Sequence, residues 1–164
     1  MANRLLMGAA AGVTAAVPMT AYWEYMHPRL PGEPPRPLPP REIVEALAVK
    51  AGISRQLSER DVQNLTLGAH FGYAALTGAL YGLLIPRRGL AGVGAGILFG
   101  FGVWASSYLG WLPAAGVRQP ITYDPRARTG LMIGGHLVWG AVLGILMAGT
   151  GLRARTSIPD PVRA

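Results

Sequence analysis

Two histidines, one glutamate and a Ser-Ser-Tyr run are the side chains here whose types and spacing could do chemistry in uncharged surroundings: Glu24, His70, His136 and Ser106-Ser107-Tyr108. Imidazoles and a carboxylate at one depth could relay protons, hold a metal ion, or ligate a bis-histidine haem b through His70 and His136. A zinc or iron site would use the two histidines and Glu24, but no HxxxH or ExxH spacing accompanies them. The plainer chemistry is hydrogen bonding, with Glu24, His70, Tyr108 and His136 forming a polar layer that fixes helix register. That reading is favoured. No catalytic residue and no metal centre is expected. With no cysteine, thiolate sites, Fe–S clusters and covalent c-type haem are excluded.

Four windows must position these groups: residues 5–25, 65–85, 90–112 and 131–150. The chain is 14% charged, yet together the windows hold one charge, Glu24. Each is about as long as the roughly 20 residues a helix needs to cross a hydrocarbon core. A soluble bundle would place polar residues on the outward face of every helix, and these windows are apolar all round. The expectation is an all-α, four-helix transmembrane bundle spanning residues 1–150, followed by a disordered polar tail at 151–164. The first window is read as a span rather than a cleaved signal peptide, because its apolar run continues through Met19, Tyr22 and Trp23. The net charge of +7 then belongs to loops beside lipid headgroups. No basic helix with interleaved aromatics suggests nucleic acid.

The long connection, 26–57, holds seven of the 14 prolines between Pro28 and Pro40, which favours an extended path. A short amphipathic helix follows from Arg41 to Ala51, with Ile43, Val44, Leu47, Ala48 and Ala51 on one side and Gly52 as its stop. Ser58 and Asp61 resemble a capping box that opens the second long helix. Asp124-Pro125 gives a similar signal before the last helix, which should stop at Gly149 or Gly151.

An offset of 66 aligns Ser58 with Asp124, His70 with His136, Tyr73 with Trp139 and Gly78 with Gly144. An offset of 84 brings Gly8, Ala11 and Gly12 onto Gly92, Ala95 and Gly96. Together they suggest two helix-hairpin repeats, parallel because each crosses twice. Each histidine lies twelve residues past its cap, so both should share one depth and point into the bundle. Small residues recur four apart at Gly8/Gly12, Gly68/Gly72, Gly78/Gly82, Gly92/Gly96/Gly100 and Gly140/Gly144. Such stripes let helix backbones approach closely, within one bundle, in a homo-oligomer or in a larger membrane complex. Pro18 should kink the first span. The Gly94-Ala95-Gly96 run lies inside a span and is no phosphate loop.

Four stretches carry a family likeness: Pro37-Leu38-Pro39-Pro40-Arg41-Glu42, Leu65 through Tyr73, Trp104 through Pro113, and His136-Leu137-Val138-Trp139-Gly140. The chain resembles the YagU-like family of small, uncharacterised bacterial inner-membrane, multi-pass proteins. The likeness covers nearly the whole chain and implies a fold and a location, not a reaction. The expected function is a structural or accessory subunit in the bilayer. The alternative is a redox or ion-handling protein using the Glu/His layer. Arg4, Arg87, Arg88, Arg153, Arg155 and Arg163 lie in the short segments of one side, which the positive-inside rule makes cytoplasmic, with both termini.

Overall fold

The computed structural model describes residues 2–31, 37–85 and 91–156. Among them every regular element is helical: α1 (Ala2–Met26), α2 (Pro39–Lys50), α3 (Glu59–Leu84), α4 (Ala91–Ala105), the one-turn α5 (Leu112–Ala114) and α6 (Arg126–Thr156). Ser106–Trp111 joins α4 to α5 as a π-helix, and 3-10 turns occupy His27–Arg29, Ser54–Gln56 and Ile121–Tyr123. The turn at Pro86–Gly89 lies outside the described residues.

Glycine decides how the long helices pair. At the α1–α3 crossing, a Cβ on Gly12 would run into the Ala74 carbonyl and the Gly78 Cα. At the α4–α6 crossing, a Cβ on Gly96 would run into the Gly140 carbonyl and the Gly144 Cα. Ala74 and Gly78 become Gly140 and Gly144 under the offset of 66, while Gly12 becomes Gly96 under 84. The two crossings therefore use corresponding positions. Gly68 and Gly72 meet nothing across a helix, so that pair is not a packing seam within the chain.

α1 also packs along α6, and reciprocal indole bonds fasten this contact. Trp23 Nε1 donates to the Leu131 carbonyl (3.2 Å) and Trp139 Nε1 to the Gly12 carbonyl (3.0 Å). α3 and α4 scarcely touch. They are bridged at one end by Tyr81 Oη donating to the Gly92 carbonyl (2.9 Å) and towards the other by Tyr73 Oη and Ser107 Oγ (3.0 Å). Between these bridges runs an apolar groove of about 580 Å³.

Local chemistry sets the element ends. Ser58 Oγ accepts from the Asp61 N–H (3.2 Å) while the Ser58 N–H donates to Asp61 Oδ2 (2.9 Å), a reciprocal cap. α2 begins two residues earlier than the periodicity suggests, because Pro39 and Pro40 occupy its first turn, where proline loses no helical bond. It ends on Gly52 at φ +71°, with the Gly52 N–H on the Val49 carbonyl and the Ile53 N–H on the Ala48 carbonyl (both 3.0 Å). Only a residue tolerant of the left-handed region closes a helix this way. α6 passes both Gly149 and Gly151 and runs to Thr156, so the first part of the expected tail is helical; residues 157–164 lie outside the described set. The middle of the proline run, 32–36, is also outside it.

Among the described residues, three stretches are long and apolar enough to cross a membrane: Ala2–Arg29, Ala91–Ala114 and Arg126–Gly149. The sequence suggested four. α3 matches them in length, but His70, Tyr73, Thr77, Tyr81 and four glycines dilute its hydropathy.

Candidate functional site

A cavity of about 210 Å³ lies between the hairpins, at the end of the bundle covered by α2. His70, His136 and Tyr108 all line it, joined by Trp23, Tyr73 and Ser107. Pro40, Ile43 and Leu47 of α2 form part of its wall. The structure thus brings together three of the four side chains singled out in the sequence. Glu24 stays apart: it is exposed, makes no hydrogen bond or ion pair among the described residues, and does not line the cavity. Its neighbour Trp23 is buried, and one residue along a helix turns the next side chain through about 100°.

Each imidazole has one nitrogen engaged. His136 Nδ1 lies 2.8 Å from the Met132 carbonyl, which can only accept, so Nδ1 carries the proton there. Its Nε2 has no partner among the described residues, although the side chain is only 7% exposed. His70 Nε2 lies 3.2 Å from Thr20 Oγ1. That hydroxyl donates to the Ala16 carbonyl (2.8 Å), so it accepts from His70 and leaves His70 Nδ1 as a lone pair. The Trp23 indole touches both rings, with centroids 5.6 Å from His70 and 5.9 Å from His136. Tyr108 meets His136 edge-on at 6.0 Å.

Ser107 and Tyr108 owe their shared burial to the π-helix. One extra residue per turn rotates the segment, and π-turns within α-helices commonly mark functional sites. Ser107 Oγ donates to the Val103 carbonyl (2.8 Å) and accepts from Tyr73. Nothing in the local sequence signals this turn.

The Trp23 indole stands against both imidazoles, and the cavity they share offers about 210 Å³, where pockets for cofactors and drug-sized ligands run to about 300–1,000 Å³. Among the described residues, no group of three or more His, Asp or Glu gathers as a metal shell.

Outside the apolar layer lies a charge cluster that periodicity does not reveal. Arg128, wholly buried, donates from Nη2 to the Pro37 carbonyl (2.6 Å) and to Glu42 Oε1 (2.9 Å). Arg118 Nη2 reaches Asp124 Oδ2 (2.7 Å) and Glu42 Oε2 (3.4 Å), with its guanidinium 5.3 Å from the Tyr108 ring centroid. Burial works against the Arg118 charge, but the Asp124 carboxylate outweighs it and holds the guanidinium charged. Glu42 of α2 is thereby clamped over the cavity by residues from the loop before α6 and from its first turn. Asp124 is spent on Arg118 as well as standing before the helix. The available signal was Arg126 and Arg128 in the first turn of α6, where the helix dipole disfavours cations unless acids compensate.

No curated protein and no solved structure matches the chain. The model of one protein family, described as "Protein of unknown function (DUF1440)", matches residues 13–145, most of the length, and the chain belongs to that family.

Proposed function

We propose that the protein is a four-span integral protein of the bacterial inner membrane, built from two parallel helix hairpins. Its role would be structural or accessory, as a scaffold or a subunit of a homo-oligomer or larger complex. The carrying observation is the outward face of the long helices. Leu6 and Val17 on α1, Leu76 and Leu84 on α3, Leu98 on α4 and Ile145 on α6 are each more than half exposed (55–74%). In water such a surface would be a severe liability; in lipid it costs nothing. α3 shares it, which supports counting α3 as the fourth span despite its glycines. The matched crossings at Gly12/Gly78 and Gly96/Gly144 support the repeat. The YagU-like resemblance and the family match agree on a chain of unassigned chemistry. The arginines of the short segments favour cytoplasmic termini.

The test uses the absence of cysteine. Single-cysteine variants Leu76→Cys and Leu98→Cys should resist a membrane-impermeant maleimide until detergent is added, while Thr122→Cys should label from the periplasm. The protein should stay with membranes through a carbonate wash. Labelling of Leu76→Cys in intact membranes would remove α3 from the bilayer. A redox or ion-handling role rests on His70 and His136 sharing one cavity. With Glu24 outside that cavity and the Trp23 indole against both imidazoles, an absorption spectrum without a Soret band is expected.

A further inference from the structure

The cavity is not isolated. Tyr73, Thr77 and Val103 line both it and the apolar groove between α3 and α4, so the smaller space opens sideways into the larger. The head of a molecule lodged in the cavity could therefore continue as a tail along Leu80, Leu98 and Phe99.

Counting hydroxyl and imidazole protons defines what the cavity can bind. Thr20 gives its proton to the Ala16 carbonyl, Ser107 to the Val103 carbonyl, Thr77 to the Tyr73 carbonyl, and Tyr73 to Ser107. His136 gives Nδ1–H to Met132, and His70 gives Nε2–H to Thr20. What remains is three acceptors, His136 Nε2, His70 Nδ1 and the phenolic oxygen of Tyr73, and two donors, the Tyr108 hydroxyl and the Trp111 indole N–H. Tyr108 retains only a weak contact to Met132 Sδ at 3.8 Å. No Asp, Glu, Lys or Arg lines either space, so a phosphate, carboxylate or ammonium head would be buried without a counter-charge. The wall is aromatic, with Trp23, Tyr108, Trp111 and Trp139, which suits a flat ring. About 210 Å³ is ample for one ring, since an apolar cavity of about 150 Å³ takes benzene.

We propose that the cavity and groove together bind one membrane-dissolved amphiphile, a single-ring phenol or hydroquinone with an apolar tail. The ring hydroxyl donates to His136 Nε2, and the tail lies between α3 and α4. This rests on the membrane reading above, because the tail reaches the groove from lipid.

Purified full-length protein in detergent is titrated with a decyl-substituted hydroquinone, kept reduced, and with its bis-methyl ether. Tryptophan fluorescence reports occupancy through Trp23, Trp111 and Trp139. The hydroquinone should quench saturably. The ether, which lacks donors, should bind at least about tenfold more weakly. His136→Leu should weaken the hydroquinone about tenfold and leave the ether unchanged, while His136→Gln, which keeps an acceptor, should bind nearly as the parent does. Val103→Trp, which blocks the shared wall, should abolish binding of both. Equal affinity for hydroquinone and ether, or no saturable quenching, overturns the proposal, and this comparison needs no variant to fold. Release of the protein by a carbonate wash would instead overturn the spanning reading. Retention in washed membranes without binding would overturn this inference alone.

Discussion

Glu42 is shared by two guanidiniums, that of Arg128 wholly buried and that of Arg118 largely so, and water replaces it poorly there. Glu42→Leu leaves Arg118 and Arg128 without their common carboxylate, and breaking a buried ion pair on one side costs about 3 kcal/mol or more. The expected reading is a clear fall in the thermal midpoint of the detergent-solubilised protein. Glu45→Leu, whose partner Arg41 stays in solvent, should leave the midpoint nearly unchanged. The cap of α3 adds a pH dependence. Hydrogen bonds from Ser58 hold the Asp61 carboxyl below its ordinary range. Arg41 does the same for Glu59. A lowered folded value means that the cap's contribution is complete above the ordinary aspartate value of about 3.9 and fades as pH falls through the lower folded one. The protection of the Asp61 and Val62 amides, read against their intrinsic exchange rates, should therefore fall in acid. Asp61→Asn should remove that acid step.

Among the elements, the glycine seams carry the sharpest expectation. Gly96→Leu drives a side chain into the Gly140 carbonyl of α6, backbone that no rotamer change can move aside, and should cost about 3 kcal/mol. Gly94→Leu, with nothing within 4 Å, should be neutral or stabilising. Thermal unfolding of the two variants in one detergent compares them directly. These seams were legible in the sequence through their spacing of four, although the same spacing at Gly68 and Gly72 marks no seam; the Ser58–Asp61 cap was legible because its chemistry is local. The shared position of His70 and His136 followed from equal distance to their caps. The π-turn at Ser106–Trp111 was not legible, since no residue type within it marks a π-helix, and Tyr73, which meets Ser107 there, comes from α3, 34 positions away. Glu24 was misread for the opposite reason. Its depth was inferred from position along α1, but depth leaves open which way a side chain turns. Leu47 and Ile43 gave the right face of α2, whereas the Glu42 clamp depends on residues more than 70 positions away.

For the whole molecule, topology is the quantity to measure. A C-terminal reporter fusion should be active only when its reporter works in the cytoplasm, and periplasmic activity would reverse the orientation. The two hairpins correspond residue for residue at their inner crossings, yet their mutual contacts do not correspond: α1 lies against α6, while α3 stands off from α4.

That inequality has a mechanical meaning. The seams inside each hairpin are nearly bare backbone, without rotamers to rearrange, so each hairpin behaves as a stiff leaf. The Trp23 and Trp139 bonds bind the two leaves along α1 and α6 like the spine of a book. Among the described residues the fore-edge, at α3 and α4, is held by hydroxyl contacts from Tyr81 and Tyr73. Compliance in this molecule is therefore directional. A lateral load from the bilayer would widen or narrow the fore-edge long before it disturbed either leaf, and the smaller space behind Tyr73 would change volume with it.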